Sequence, residues 1–219
     1  MLTVAEAIQQ RRSIRSFKRI PVPDEMILEM LEAARLAPSA SNSQPWRFVV
    51  VTDPEEKKEL RKLCLNQGFI EDAGVDFIIC TDLTAFSKDA YRRQRQESID
   101  AGLVPASMLN DSSYEKYVDS IDDSDLTRQL TPATANTYIA TEHIVLMAAA
   151  LGLGSCWVGG ISDHKAVRDL FGIPRGIRVL GVVAVGYTNL ESKARPRLPL
   201  AEILLRPFPA SADSRFGTR

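Results

Sequence analysis

Ile177-Arg178-Val179-Leu180-Gly181-Val182-Val183-Ala184-Val185-Gly186-Tyr187 is a nearly continuous apolar run. A strand of this kind is expected in a sheet covered on both faces, because a sheet with one wet face alternates apolar and polar residues. Val75-Asp76-Phe77-Ile78-Ile79-Cys80-Thr81 reads as another strand, and Trp46-Arg47-Phe48-Val49-Val50-Val51-Thr52 is a strand by its β-branched and aromatic content. A short strand is expected at residues 155–158.

Helices interleave with these runs. Thr3-Val4-Ala5-Glu6 reads as a capping box opening a helix to about Arg11. A second helix is expected from Asp24, with Ile27, Leu31 and Ala34 on one face and Pro38 beyond its end. Asp53-Pro54 pairs an N-cap with proline at the first helical position, and that helix should reach about Leu65. Residues 132–151 predict a long apolar helix, with Ile139, His143, Leu146 and Ala150 on one stripe and Ala140, Ile144 and Met147 widening it. Such a helix lies in a core or a subunit interface. Gly152 is its expected C-cap, and a further helix is expected at residues 162–171. Interleaved helices and strands give an α/β or α+β class with a layered sheet. With no linker of domain-separating character, residues 1–219 are expected to form one domain. The tail from Thr188 has too few periodic apolar positions for a core element, so it should lie along a surface, its own chain's or another subunit's.

Residues 82–130 differ in character: Lys88, Arg92, Arg93 and Arg95 come first, then Asp111, Glu115, Asp119, Asp122, Asp123 and Asp125. They read either as a solvated helical excursion with charged faces or as a lid over a site.

The composition narrows the chemistry. The chain has 219 residues, 45% hydrophobic and 25% charged, with a formal net charge of −1, so no global field favours nucleic acid or an acidic membrane. No apolar run is long enough to span a bilayer, the N-terminus has no signal-peptide pattern, and a cytoplasmic location is expected. Cys64, Cys80 and Cys156 are odd in number with no C-x-x-C pair, which argues for buried thiols over a disulfide framework or a zinc site. His143 and His164 are the only histidines. The first reads as a satisfied core residue and the second as a surface or capping position, which leaves nucleophilic hydrolysis little support. Gly152-Leu153-Gly154-Ser155-Cys156-Trp157 begins like a dinucleotide fingerprint, but Trp157 stands where the third glycine belongs and the motif follows a helix. No phosphate-binding P-loop occurs. A chain without these devices can leave the difficult chemistry to a cofactor.

Four segments offer cofactor-binding groups. Arg11-Arg12-Ser13-Ile14-Arg15-Ser16-Phe17 packs three arginines and two hydroxyls into one turn-like stretch. Those arginines either satisfy the carbonyls at a helix end or grip an anion through their forked donors. Ala37-Pro38-Ser39-Ala40-Ser41-Asn42-Ser43-Gln44-Pro45-Trp46 is a polar loop, plain turn chemistry or a surface for a heteroaromatic edge. Gly154-Ser155-Cys156-Trp157-Val158-Gly159-Gly160 ends in two glycines that permit close approach of a flat ring. Arg195-Pro196-Arg197-Leu198-Pro199 adds two cations.

In their order and wording these segments resemble the FMN-dependent nitroreductase family across roughly residues 3–205. The resemblance implies an α+β, three-layer fold with a central, mostly antiparallel sheet between helices, and an intertwined homodimer. In that arrangement the long helix forms much of the interface, residues 82–130 are a variable insertion and residues 188–219 extend onto the partner. It implies an FMN site at the interface. Arg11, Arg12, Ser13 and Arg15 would hold the phosphate, ribityl chain and ring edge, with Arg195 and Arg197 as a second cation pair. Pro38, Ser39, Ala40 and Asn42 would reach the flavin from the other subunit, Gln67 would meet ribityl or ring, and Val158, Gly159 and Gly160 would donate toward N5 and O4. The implied activity is ping-pong transfer of a hydride from NAD(P)H through flavin N5 to a nitroaromatic, quinone or similar acceptor. A specialised flavin enzyme, such as a reductive dehalogenase or a flavin-consuming enzyme, and a non-catalytic flavin-binding interaction protein are the alternatives. No metal and no nucleic-acid or membrane partner is expected. Ala73-Gly74 departs from the Ala-Pro that many members carry there.

Overall fold

A computed structural model describes residues 2–190 and 192–206, the side chains of 109 and 110 apart. Four strands, β1 (Trp46–Val51), β2 (Val75–Asp82), β3 (Gly154–Val158) and β4 (Ile177–Gly186), form one sheet in the order β1-β2-β4-β3, antiparallel at every pairing. An isolated parallel bridge between Ser13 and Ser155 adds a stub of chain outside β3.

Side chains leave a strand alternately to its two faces, so each strand feeds two cores. Phe77 and Ile79 of β2 and Val183 and Val185 of β4 face a layer that includes α2 (Asp24–Arg35) and the long central helix. Ile78, Cys80, Val182 and Ala184 face the opposite layer: Leu60 of α3 (Pro54–Leu63), Phe69 and Ile70 of α4 (Gly68–Asp72), and Val167 of a later helix. The result is helix, sheet, helix, as the apolar strands predict. Each aliphatic or aromatic side chain buried this way stabilises the fold by about 1.5–3 kcal/mol.

The capping signals hold. In α1 (Val4–Gln10) the Thr3 hydroxyl accepts from the Glu6 N–H while the Glu6 carboxylate accepts from Thr3. Asp53 accepts from the N–H groups of Glu55 and Glu56, with Pro54 in the first turn. Three expectations need correction. The helix Gly68–Asp72 was not foreseen. The long helix begins at Leu126, not 132: Asp125 caps it through the Arg128 N–H, and Pro132 sits inside, where Asn136 donates to its carbonyl. Its stripe is also displaced by one position. Ala133, Thr137, Ala140, Ile144 and Ala148 are buried, whereas Tyr138 and Ile139 are 40% and 42% exposed.

The excursion after β2 comprises α5 (Lys88–Asp100) and α6 (Ser112–Asp119), followed by the long helix, α7 (Leu126–Ala150). The basic and acidic clusters meet across α5 and α6. Arg92 pairs with Asp119 at 2.8 Å and Glu115 at 3.3 Å, and the Arg95 guanidinium lies 4.0 Å from the Tyr114 ring centre. Then α8 (His164–Leu170) follows β3, capped by Asp163, and α9 (Leu200–Ile203) lies in a tail with no buried residue. The C-terminal residues 207–219 of the expected extension lie outside the described residues. Among the described residues, no helix is long and apolar enough to cross a membrane.

Candidate functional site

The Arg11–Phe17 segment is held at the sheet edge by the Ile14 N–H, which donates to the Ser155 carbonyl of β3 at 2.8 Å, and by the Thr188 hydroxyl, which donates to the Ser16 carbonyl at 2.8 Å. Ile14 is buried against Gly154, where a Cβ would come within 2.9 Å of the Ile14 side chain. With Ile14 pointing inward, Ser13 and Arg15 on either side are left exposed.

The carbonyl-capping reading of the arginines is realised at Arg12. Arg12 Nη1 donates to the carbonyls of Gln9 (2.6 Å) and Arg11 (2.8 Å), closing the end of α1. Its Nε is buried with no partner. A buried guanidinium donor left unpaired is costly unless an acceptor from outside the chain meets it. Arg11 lies 4.0 Å from the Glu142 carboxylate, a long contact at a partly open position. Arg11, Arg12, Gly152, Gly154, Ser155 and Thr188 line a cleft of about 220 Å³. A larger cavity of about 530 Å³ lies away from these residues, beside Arg19, Asp24 and Lys57.

Further along the same edge, β3 ends at Val158 and the chain continues through Gly159 and Gly160. A Cβ at Gly159 would meet nothing within 4 Å, so its backbone is open to a planar group. A Cβ at Gly160 would lie 2.8 Å from Leu65 Cδ1 and 3.6 Å from Gln67 Nε2. Gln67 therefore stands beside the paired glycines, its amide also donating to the Cys64 carbonyl at 3.0 Å.

The polar loop lies elsewhere in the chain. Ala40–Asn42 forms a 3-10 turn entering β1, with Ser41, Asn42 and Gln44 at positive φ. The Ala40 N–H donates to Asn136 Oδ1 of α7 at 2.8 Å, and Ser39 Oγ accepts from the Gln44 N–H at 3.0 Å. β1 and β3 are the two outer strands, three spacings or about 14 Å apart. One chain thus gathers Arg11, Arg12, Ser13, Arg15, Gln67, Val158, Gly159 and Gly160 along one edge. It does not bring Pro38, Ser39, Ala40 and Asn42 to them. Arg195 and Arg197 are exposed in the tail, and no described residue hydrogen-bonds or pairs with either.

The remaining candidate groups are engaged. His143 Nδ1 is 2.9 Å from the Ala33 carbonyl and His164 Nδ1 is 3.0 Å from that of Val179. All three cysteines are buried and unpaired, and burial pushes the Cys64 and Cys80 thiols up to about 12, so neither is a ready nucleophile.

The residues that sequence reasoning passed over are Leu65 and Asn66, both at positive φ, and Arg61, which holds Asn66. Asn66 is a residue type that tolerates that backbone, but nothing in Leu65 or Arg61 announces it.

The Nitroreductase family model matches residues 8–187. The chain is 33% identical over 207 residues to a protein named NADH dehydrogenase from Thermus thermophilus, covering 94% of this chain and 96% of that one. It is 30% identical over 200 residues to an FMN reductase (NADPH) from Bacillus subtilis, covering 91% and 71%. The structure of NADPH:FMN oxidoreductase from Vibrio harveyi, complexed with NAD+, superimposes with a TM-score of 0.71 at 25% identity, covering 97% of this chain and 82% of that one.

Proposed function

Since the chain belongs to the nitroreductase family, we propose that it is an FMN-dependent oxidoreductase that takes reducing equivalents from NAD(P)H and delivers them to a small nitroaromatic, quinone or similarly electron-poor acceptor. The observation that carries this reading is the alignment of Arg12, Ser13, Gln67 and the Gly159-Gly160 backbone along one sheet edge, with a buried guanidinium nitrogen left over and an open glycine surface. These groups fit a ligand with an anionic end and a flat heteroaromatic end. The relatives named FMN reductase and NADPH:FMN oxidoreductase support the same choice.

When bound, the flavin supplies the hydride chemistry between nicotinamide and acceptor. The chain's own part is to bind, orient and stabilise charge. Arg12 and Arg15, joined by Arg195 and Arg197, bind phosphate, where a charge-assisted contact is worth about 1.5–3 kcal/mol. The backbone N–H groups of Gly159 and Gly160 and the Gln67 amide would be the donors to the ring edge, where they would stabilise the negative charge of the reduced form. The open backbone at Gly159 would let a flat ring approach closely, which suits a single slot shared by nicotinamide and acceptor. No side chain in the set is a free general acid, so protons come from solvent.

The site is completed by a second copy. Pro38, Ser39, Ala40 and Asn42 of one chain reach the flavin held by the other, because within a chain they stand at the far edge of the sheet. Exposed apolar groups on α7 and in the tail, Leu126, Tyr138, Ile139, Ile203 and Leu205 among them, support this, since surface of that kind is normally covered. The α5 helix packs beside the Ala40–Asn42 turn, which supports a role for the excursion as a wall of the acceptor slot.

The test is anaerobic mixing of the flavin-loaded protein with NADH or NADPH, followed by a panel of nitroaromatics and quinones. Bleaching of the flavin and its return on adding acceptor are expected. A flavin that neither nucleotide bleaches removes the reductase reading.

A further inference from the structure

Leu65 and Asn66 are consecutive residues in the left-handed region, at φ 53° and 55°. L side chains rarely adopt that backbone, and a leucine in it is unfavourable without outside support. The support is visible. The Asn66 N–H donates to the Arg61 carbonyl at 3.1 Å, and Asn66 Oδ1 accepts from Arg61 Nε at 2.9 Å. The same guanidinium reaches the Glu71 carboxylate at 2.8 Å through Nη1, which holds that carboxyl below its usual range. Arg61 thus ties the end of α3 to the middle of α4 and closes a loop whose middle is Leu65-Asn66-Gln67.

The side chains of that loop stand against the paired glycines. A Cβ at Gly160 would lie 2.8 Å from Leu65 Cδ1, so Leu65 packs directly on this backbone, and Gln67 Nε2 is the next neighbour. Leu65 is nonetheless 63% exposed, an apolar side chain on the open side of the Gly159-Gly160 backbone. A relaxed backbone here would rotate Leu65 away and withdraw Gln67.

We infer that Arg61 is a positioning residue for the flavin site, holding Leu65 and Gln67 against Gly160 through its fork to Asn66 and Glu71. Arg61 touches neither the cleft nor the glycines and acts only through this loop. The inference rests on the flavin reading for its consequence, but the clamp itself is a property of the chain.

Three readouts on the full-length protein test it. In flavin-free protein, Arg61→Ala is expected to speed hydrogen exchange at the Asn66 and Gln67 amides while exchange in β2 and β4 stays unchanged. In FMN titrations, Arg61→Ala and Gln67→Ala should each raise Kd about tenfold or more, and the double variant should be no weaker than the poorer single variant, because both remove one interaction. Arg61→Lys, which keeps the charge but loses the fork, should not restore binding. Melting of the variant should fall by no more than about 4 °C, separating loosened positioning from a failed fold. Unchanged exchange at residues 66 and 67, or additive effects of the two substitutions on Kd, would overturn the clamp. Wild-type protein that binds no FMN would instead overturn the flavin reading, and the exchange measurement would still decide on Arg61.

Discussion

The Ile14 N–H donates to the Ser155 carbonyl at 2.8 Å, and the Ile14 side chain packs on Gly154. This contact converts an arginine-rich stretch after a short helix into a fifth, partial rung of the sheet. It fixes which residues look outward: with Ile14 buried, Ser13 and Arg15 are presented together beside β3.

Gly154→Ala tests that contact. The added methyl would lie 2.9 Å from Ile14 Cγ1, so the segment must move outward. A stability loss of about 1–3 kcal/mol in urea denaturation is expected from such overpacking, with FMN binding several-fold weaker. Unchanged FMN affinity would detach the Arg11–Arg15 segment from the cofactor.

Arg12 and Arg197 should behave differently. Arg12 closes α1 as well as facing the cleft, so Arg12→Ala should lower both stability and FMN affinity. Arg197 is exposed, and Arg197→Ala should leave the stability of flavin-free protein within about 0.5 kcal/mol. Its FMN affinity should still fall about tenfold or more, by the worth of one charged phosphate contact. Paired titration and denaturation of both variants checks this.

Mixing two defective chains tests the shared site. Arg12→Ala and Asn42→Ala homodimers should each hold FMN poorly. On the shared-site proposal a mixed dimer contains one site with both residues intact, so random 1:1 mixing should recover flavin binding in up to about a quarter of all sites. No recovery would confine the site to a single chain.

Asp76 makes a prediction about pH. Its carboxyl is fully buried, neither oxygen has a partner among the described residues, and burial raises its pKa well above the usual carboxylate range, with the Lys57 charge opposing. Burial lowers the Lys57 pKa in turn, and its ammonium donates to the Ala73 carbonyl. For an acid raised on folding, the stabilisation is complete below the unfolded pKa and is lost as pH rises through the folded one. Lys57→Met removes the opposing charge and raises Asp76 further. It should cost about 1–3 kcal/mol near neutral pH and less near pH 4–5. Lys57→Met combined with Asp76→Val should recover most of that loss and flatten the pH dependence. Urea denaturation across that pH range measures both.

Much of the fold was legible because its signals are local or periodic. Thr3 with Glu6, Asp53 before Pro54, and the apolar runs of β2 and β4 each carry their meaning within a few residues. The start of α7 was not, because proline normally opens a helix or ends one, whereas the Asp125 cap that begins this helix lies more than a turn before Pro132. The departure at Ala73-Gly74 became intelligible only in three dimensions. The Gly74 N–H donates to the Val185 carbonyl, which proline could not do, and a Cβ there would press on the Ile20 carbonyl at 2.7 Å. The site was half legible. Its residue types stood out in the sequence, but which of them share an edge depends on strand order, a long-range property. In the left-handed pair, Asn66 is a residue type that tolerates such backbone, but Leu65 before it carries no local signature.

The most direct measurement of the central claim is titration of the full-length, flavin-stripped protein with FMN, followed by anaerobic addition of NADH or NADPH. The account predicts yellow protein with about one FMN per chain, bleached by the nucleotide. Protein that stays colourless and cannot be reconstituted with FMN would contradict it.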